Sequence, residues 1–315
     1  MSAYAGRSFR MGAGIMTIRG GLAQAAAVAL GVLVVGPALA ASPAADLFYE
    51  RAVMTAADGA CRLFAPDVAT ALAASKAQAR GAALRSGGDP ASLAALEAQA
   101  SGAGAANCRS PAIAAAANQV RAAFASYAHL DHMDFPGEFA GWLAERPASD
   151  TEPRWHLSQR DRFGWDVMRF GLAGHGDARP LTAVASFADG AQPYGARLVL
   201  RDVDATNGPY LDARQADIDG HIPIDGRLPP RASSRVFEAG EMGPADKALV
   251  TPDLPGAWSF AFPQAASDAL AQLDPRETVA VEFLFTGDDG ESVRTAYVEV
   301  GDFVAARAFQ SIPQQ

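Results

Sequence analysis

Lysine is almost missing from this 315-residue chain: Lys76 and Lys247 are the only two among 26 basic residues. Beside so much alanine, that scarcity reads as GC-rich coding rather than as function. Against 35 acidic residues the formal net charge is −9. Such a balance excludes nucleic acid as a partner, because phosphates demand a basic surface. It equally disfavours tight binding to an anionic membrane face. Cysteine is as scarce as lysine. Cys61 and Cys108 lie 47 positions apart, so they alone build neither a C-x-x-C redox motif nor a zinc knuckle. Nucleophile signatures are missing too, with no Gly-x-Ser-x-Gly elbow and no Ser-x-x-Lys.

What is present begins with an export pattern. Arg7, Arg10 and Arg19 precede an apolar run from Ala25 to Val35, which Gly36 and Pro37 break before Ala38-Leu39-Ala40. The run is too short to span a bilayer comfortably, and small residues stand where signal peptidase needs them. Residues 1–40 are therefore expected to be a signal peptide cleaved after Ala40. No adjacent arginine pair precedes the run, and Ala41 rather than cysteine follows the cut, so the Sec route to the periplasm is expected without a lipid anchor. Met11 or Met16 is an alternative start. Removing residues 1–40 takes away three arginines and no acid, moving the formal charge from −9 to −12. In an oxidising compartment Cys61 and Cys108 are expected to form one disulfide.

The remaining chain changes grammar near Pro147–Pro153. Residues 41–146 read as an alanine-rich helical domain. Asp46 is placed to cap a helix carrying Leu47, Phe48, Val53 and Met54, and Pro66, Asp89-Pro90 and Ser110-Pro111 open three more. In the fourth, Ile113, Val120, Phe124, Tyr127 and Leu130 draw a single apolar stripe. Alanine buries little area per residue, so a disulfide staple suits this bundle. Residues 147–153 read as a linker. Residues 154–315 read as β-rich, with strands expected over 155–162, 163–172, 181–187, 197–203, 234–238, 258–262, 278–285 and 292–300. The last two flank Gly287-Asp288-Asp289-Gly290 and predict a hairpin. Short helices are expected over 265–273 and 302–310. The expected fold is α+β: a disulfide-stapled helical bundle, then an antiparallel β-sandwich or open barrel with short helices.

Candidate chemistry is sparse. His129 and His132 stand three apart near the end of the fourth helix, with Asp131 and Asp134 beside them. That spacing permits a shared helix face for a metal, but histidines there also suit the helix C-terminus. Asp202–Gly208 resembles the front of a calcium loop, yet position twelve is Ala213, although Asp212, Asp217, Asp219 and Asp225 follow. Turn residues explain the same letters, so no metal is expected. Gly171–Gly176 reads as a turn after a strand rather than a phosphate loop, and no cofactor is expected. Trp142, Trp155, Trp165 and Trp258 suit core filling, above all where Trp155 and Trp258 sit in strand patterns. Trp142 is the exception: Phe135, Phe139 and Trp142 share a turn-rich apolar segment beside the linker. They are expected to line an interdomain groove that binds a partner.

Several segments carry a resemblance. Residues 48–51 (Phe-Tyr-Glu-Arg), 59–64 (Gly-Ala-Cys-Arg-Leu-Phe), 80–85, 197–202 and 300–309 resemble segments of an uncharacterised group of exported alphaproteobacterial proteins. It spans most of the mature chain and implies the signal peptide, the two-cysteine helical half and the β-rich half. It implies no activity and transfers no functional residue. Two functions follow as expectations. The first is a non-enzymatic periplasmic binding or structural protein of the envelope, its partner an envelope protein or cell-wall ligand. The alternative is an envelope-acting hydrolase using β-half histidines and aspartates, His156, His175 and His221 among them.

Overall fold

Among the described residues, four prolines open the first four helices: α1 (Pro43–Cys61), α2 (Pro66–Arg85), α3 (Pro90–Ala105) and α4 (Pro111–Ala128). Proline's fixed φ suits the first helical turn, and its missing N–H would have been an orphan there. The computed structural model describes residues 42–105, 108–146, 151–287 and 290–312; the expected signal peptide and cleavage site lie outside them. Ser42, rather than Asp46, caps α1, its Oγ accepting from Ala45 N–H at 3.2 Å. Helices α2 and α3 pack against α1, and small residues set how closely. A Cβ on Gly104 would lie 2.4 Å from the Val53 carbonyl oxygen. Cys61 and Cys108 are bonded, with Cα atoms 5.5 Å apart, joining the end of α1 to the turn before α4.

Among the described residues eleven strands follow, β1 (His132–Phe135), β2 (Trp142–Glu145), β3 (Arg154–Phe163), β4 (Asp166–Gly174), β5 (Leu181–Ser186), β6 (Gly195–Arg201), β7 (Ser234–Glu238), β8 (Glu241–Pro244), β9 (Trp258–Phe262), β10 (Thr278–Gly287) and β11 (Gly290–Glu299). Helices α5 (Gln264–Leu270) and α6 (Phe303–Ser311) accompany them. All named strand pairs are antiparallel. One sheet runs β1-β2-β3-β4-β5-β9-β8 and the other β11-β10-β6-β7. The expected hairpin is β10–β11, in register from Thr278↔Glu299 to Gly287↔Gly290; its tip, 288–289, lies outside the described residues.

Both sheets feed one core. Leu157, Phe170 and Leu181 from the larger meet Leu198, Val281 and Phe283 from the smaller, and Phe303 and Phe309 of α6 join them. The Phe283 ring packs 5.6 Å from Phe163, 5.2 Å from Phe187 and 5.2 Å from Phe260, centroid to centroid. A second, smaller core of Trp155, Val184, Leu249 and Leu254 forms where residues 245–257 cover the large sheet's other face. Strand β5 lies between the two cores, which is why all six of its residues are buried. The outer edge of β11 is sealed in part by side chains of β3: Gln159 Oε1 accepts from Glu299 N–H at 2.9 Å, and Asp161 Oδ2 from Tyr297 N–H at 3.2 Å. Covering an edge in this way removes a template for unwanted strand pairing.

Two expectations change here. Strands β1 and β2 lie inside the span expected to be helical, and β2 pairs with β3, so the large sheet crosses the boundary expected at 146. Four-residue strands are too short to display a period, which hid them. Of the expected linker, 147–150 lies outside the described residues, and β3 begins at Arg154. Nor is the helical half separate, since α2 packs on α6. There Arg85 holds Asp302 through two bonds of 2.9 and 3.1 Å, and Gly81 leaves room for that carboxylate. Burial pushes the Asp302 carboxyl up, Arg85 opposing. Arg146 ties a third point: its Nη1 donates to the Tyr127, Ala128 and Leu130 carbonyls at the end of α4, and its Nε to Phe309 O at 2.8 Å. A cation at a helix C-terminus answers both orphan carbonyls and dipole.

Candidate functional site

Of the three aromatics expected to line a groove, two are core. Trp142 is 1% exposed and Phe135 2%, and they face each other across the β1–β2 register. The Trp142 ring lies 5.2 Å from Phe303, and its Nε1 donates to Val300 O at 3.0 Å. Phe135 packs edge-on to Phe309 at 6.1 Å. The reason is strand alternation, which turns Trp142 and Ala144 inward together. Phe139 alone of the three is presented to solvent, 47% exposed.

The loop that carries Phe139, residues 136–141, is built around a buried carboxylate. Glu299, at the end of β11, is fully buried. Its Oε1 accepts from Glu138 N–H at 2.7 Å, and its Oε2 from Phe139 N–H at 2.7 Å and Ala140 N–H at 3.0 Å. Burying a carboxylate is costly unless donors compensate it. Three short charge-assisted bonds do so, and the same bonds fix three consecutive backbone positions. Gly137 is required by the close approach: a Cβ there would lie 2.5 Å from Glu299 Oε2 and 2.0 Å from Ala140 O. The loop is therefore held in one shape by a group on another sheet.

A second set of residues frames the ring. Arg227, buried in a short turn at 225–227, grips Glu138 through bonds of 2.6 and 2.7 Å. It also donates from Nε to Ile222 O at 2.9 Å. Its guanidinium carbon lies 4.6 Å from the centroid of the Phe139 ring, a cation–π contact. Hydrogen bonding from Arg227 is the largest effect on the Glu138 carboxyl and holds it below the usual range, against a smaller opposing effect of burial. His221 Nδ1 stands 3.6 Å from Glu138 Oε1, its side chain 69% exposed. The surface thus offers an apolar ring backed by a cation, flanked by a carboxylate and an imidazole. That combination suits recognition of a ligand with an apolar face and polar edges.

The other candidates fall elsewhere. Helix α4 ends at Ala128, so His129 is its C-cap residue while His132 opens β1 and bonds Asp131 at 2.6 Å. They share no helix face. Asp202 supports its own turn, its Oδ1 accepting from Asp204 N–H and its carbonyl from Thr206 Oγ1. Asp212 is engaged by Arg214, and Asp217 accepts from Asp219 and His221 N–H groups. Among the described residues no group of three or more His, Cys, Asp or Glu is arranged for a metal. His156 is buried in β3, its Nε2 3.2 Å from Gly174 O, and His175 is exposed in the turn after β4. His221 is the one of the three beside the loop. Trp155 is core, Trp258 half-buried in β9, and Trp165 is 89% exposed at the β3–β4 turn, where Gly164 (φ +63°) takes the first place of a two-residue hairpin.

Glu299 and Arg227, which shape this surface, carry no mark in their sequence context. The alternation of β11 places Glu299 opposite the apolar face, and nothing local marks Arg227. Comparison with protein-family models, with curated proteins and with solved structures finds no match to this chain.

Proposed function

We propose that this protein is an exported, non-enzymatic binding component of the cell envelope, and that the 136–141 loop makes the contact, with Phe139 at its centre. The observation that carries the reading is the way Glu299 organises that loop. A half-exposed aromatic on a pre-shaped backbone loses little conformational freedom on binding, which is how recognition surfaces gain affinity. Arg227 stiffens the ring from behind, and Glu138 and His221 supply polar contacts at its edge. The two sheets serve as a sandwich-type scaffold behind the loop. Export to the periplasm is supported by the pattern of residues 20–40 and by the Cys61–Cys108 bond, which suits an oxidising compartment. The resemblance to exported alphaproteobacterial proteins agrees with that placement.

The test is fractionation followed by proximity labelling from the full-length protein in living cells. The protein is expected in the periplasmic fraction, cut after Ala40. Wild type and Val304→Ala, which trims another half-exposed apolar residue, should mark the same envelope neighbours. Phe139→Ala should lose them while remaining folded. Identical labelling by Phe139→Ala, or retention in the cytoplasm, overturns the reading. Turnover of cell-wall material that disappears with a single His156, His175 or His221 change would replace it with the hydrolase.

A further inference from the structure

A cleft of about 400 Å³ opens beside the edge of the large sheet, well apart in the fold from the β1–β2 loop. Its apolar walls are Pro244, Ala245, Val250, Ala257 and Trp258, and Lys247 stands on its lining. The local fold explains the cleft. Strand β8 is the terminal strand of its sheet and ends at Pro244, and just beyond it Ala245 N–H donates to Ala257 O at 2.8 Å, tying the two limbs at their base. The chain then crosses the sheet's second face, driving Leu249 and Leu254 into the smaller core, and returns at Trp258, which pairs with Pro244. Trp155 Nε1 anchors the crossing by donating to Leu249 O at 3.0 Å. A hollow remains between the departing and returning limbs.

Lys247 gives the hollow its chemistry. The chain has two lysines, and Lys76 is bound to Glu97 at 2.8 Å. Lys247 is exposed and has no ion-pair partner among the described residues. Its neighbour Asp246 is turned to the backbone instead, where Oδ1 accepts from Ala248 N–H at 2.8 Å. A cation thus borders an apolar hollow of the size that takes small molecules. We infer that this cleft binds a small amphipathic monocarboxylate, its flat or linear apolar body against Val250 and Trp258 and its carboxylate on Lys247 Nζ. The site is independent of the Phe139 surface, so either assignment can fail without the other.

The probe is 4-phenylbutyrate, titrated into the full mature protein by calorimetry, with the indole N–H signals followed in parallel. A dissociation constant on the order of 1 mM or tighter is expected for a ligand of this size, with the Trp258 indole signal shifting along the same isotherm. The neutral 4-phenylbutanamide should bind about fivefold more weakly, the scale of one partly exposed ion pair. Lys247→Met, which keeps the apolar stem, should weaken the carboxylate about fivefold and leave the amide unchanged; Lys247→Arg should retain binding. Phe139→Ala should have no effect. Absence of saturable binding, equal affinity for acid and amide, or indifference to Lys247→Met would each overturn the assignment.

Discussion

Replacing Glu299 with glutamine changes one atom's charge and hydrogen-bonding sense while leaving the shape of the loop anchor untouched. The carboxylate takes one donor on Oε1 and two on Oε2, at 2.7, 2.7 and 3.0 Å. An amide has a single oxygen. With that oxygen turned to Phe139 and Ala140, its NH₂ faces Glu138 N–H, and one buried donor loses its partner at about 1–3 kcal/mol. The two retained bonds fall from charge-assisted to neutral, roughly 1 kcal/mol each. Against this, the neutral side chain no longer bears the desolvation of a buried charge, a gain of a few kcal/mol at most. A net destabilisation of about 2 kcal/mol follows, or roughly 4–8 °C in Tm for a chain of this length. Urea titration gives the global figure. Amide exchange gives the local one, with Glu138, Phe139 and Ala140 N–H groups exchanging faster than those of β10 once corrected for the global loss. A variant within about 0.5 kcal/mol of wild type, with those three amides unchanged, would refute the claim that Glu299 shapes the loop.

Trp142→Ala empties a fully buried site against Phe303 and should destabilise by about 3–5 kcal/mol, whereas Phe139→Ala should change stability by less than about 1 kcal/mol; equal losses in denaturant titration would contradict the core-and-surface division of the two. Breaking the Cys61–Cys108 bond by Cys61→Ser with Cys108→Ser should lower stability by about 4 kcal/mol, the entropy of the loop it closes, and alkylation of the exported protein under denaturing, non-reducing conditions should label neither cysteine. Asp189, hydrogen-bonded first by Arg294 and then by Ala191 N–H, is lowered from 3.8 to about 2. Because its folded value is depressed, the Arg294 contact contributes above the ordinary carboxylate range and is lost as pH falls from about 4 towards 2. Carboxyl ¹³C titration should place its midpoint near 2 in wild type and return it towards 3.8 in Arg294→Gln; a wild-type midpoint near 3.8 would contradict the pairing.

Where a feature is local, the amino-acid sequence announces it. The starts of α2, α3 and α4 follow from proline and its neighbours, whereas α1 opens at Pro43, ahead of the expected Asp46 cap, and β7 and β9 fall on the spans expected at 234–238 and 258–262. The β10–β11 hairpin is announced by β-branched and aromatic runs on both sides of the Gly-Asp-Asp-Gly sequence at 287–290, with alternation in the second arm. Strand β8 is not legible, because Glu-Met-Gly-Pro carries neither alternation nor β-branched residues. The site is harder still. Trp142 sits in a turn-rich segment that locally suggests exposure, but its burial is decided by Val300, 158 positions away. Arg227 is 89 positions from Glu138, and Glu299 is 160 from Phe139. Period and propensity report which face of an element is apolar; they carry no information on which distant carboxylate a loop will close around.

The proposed meeting of the 136–141 loop with an envelope partner through Phe139 is open to site-specific photocrosslinking. A benzophenone amino acid at position 139 of the exported protein, irradiated in living cells, should give a discrete crosslinked species in the envelope fraction. The same amino acid at position 304, on α6, should not give that species, and adding Glu299→Gln to the position-139 protein should diminish it several-fold. A folded, exported protein that crosslinks to nothing from position 139, or to the same species from both positions, would contradict the account.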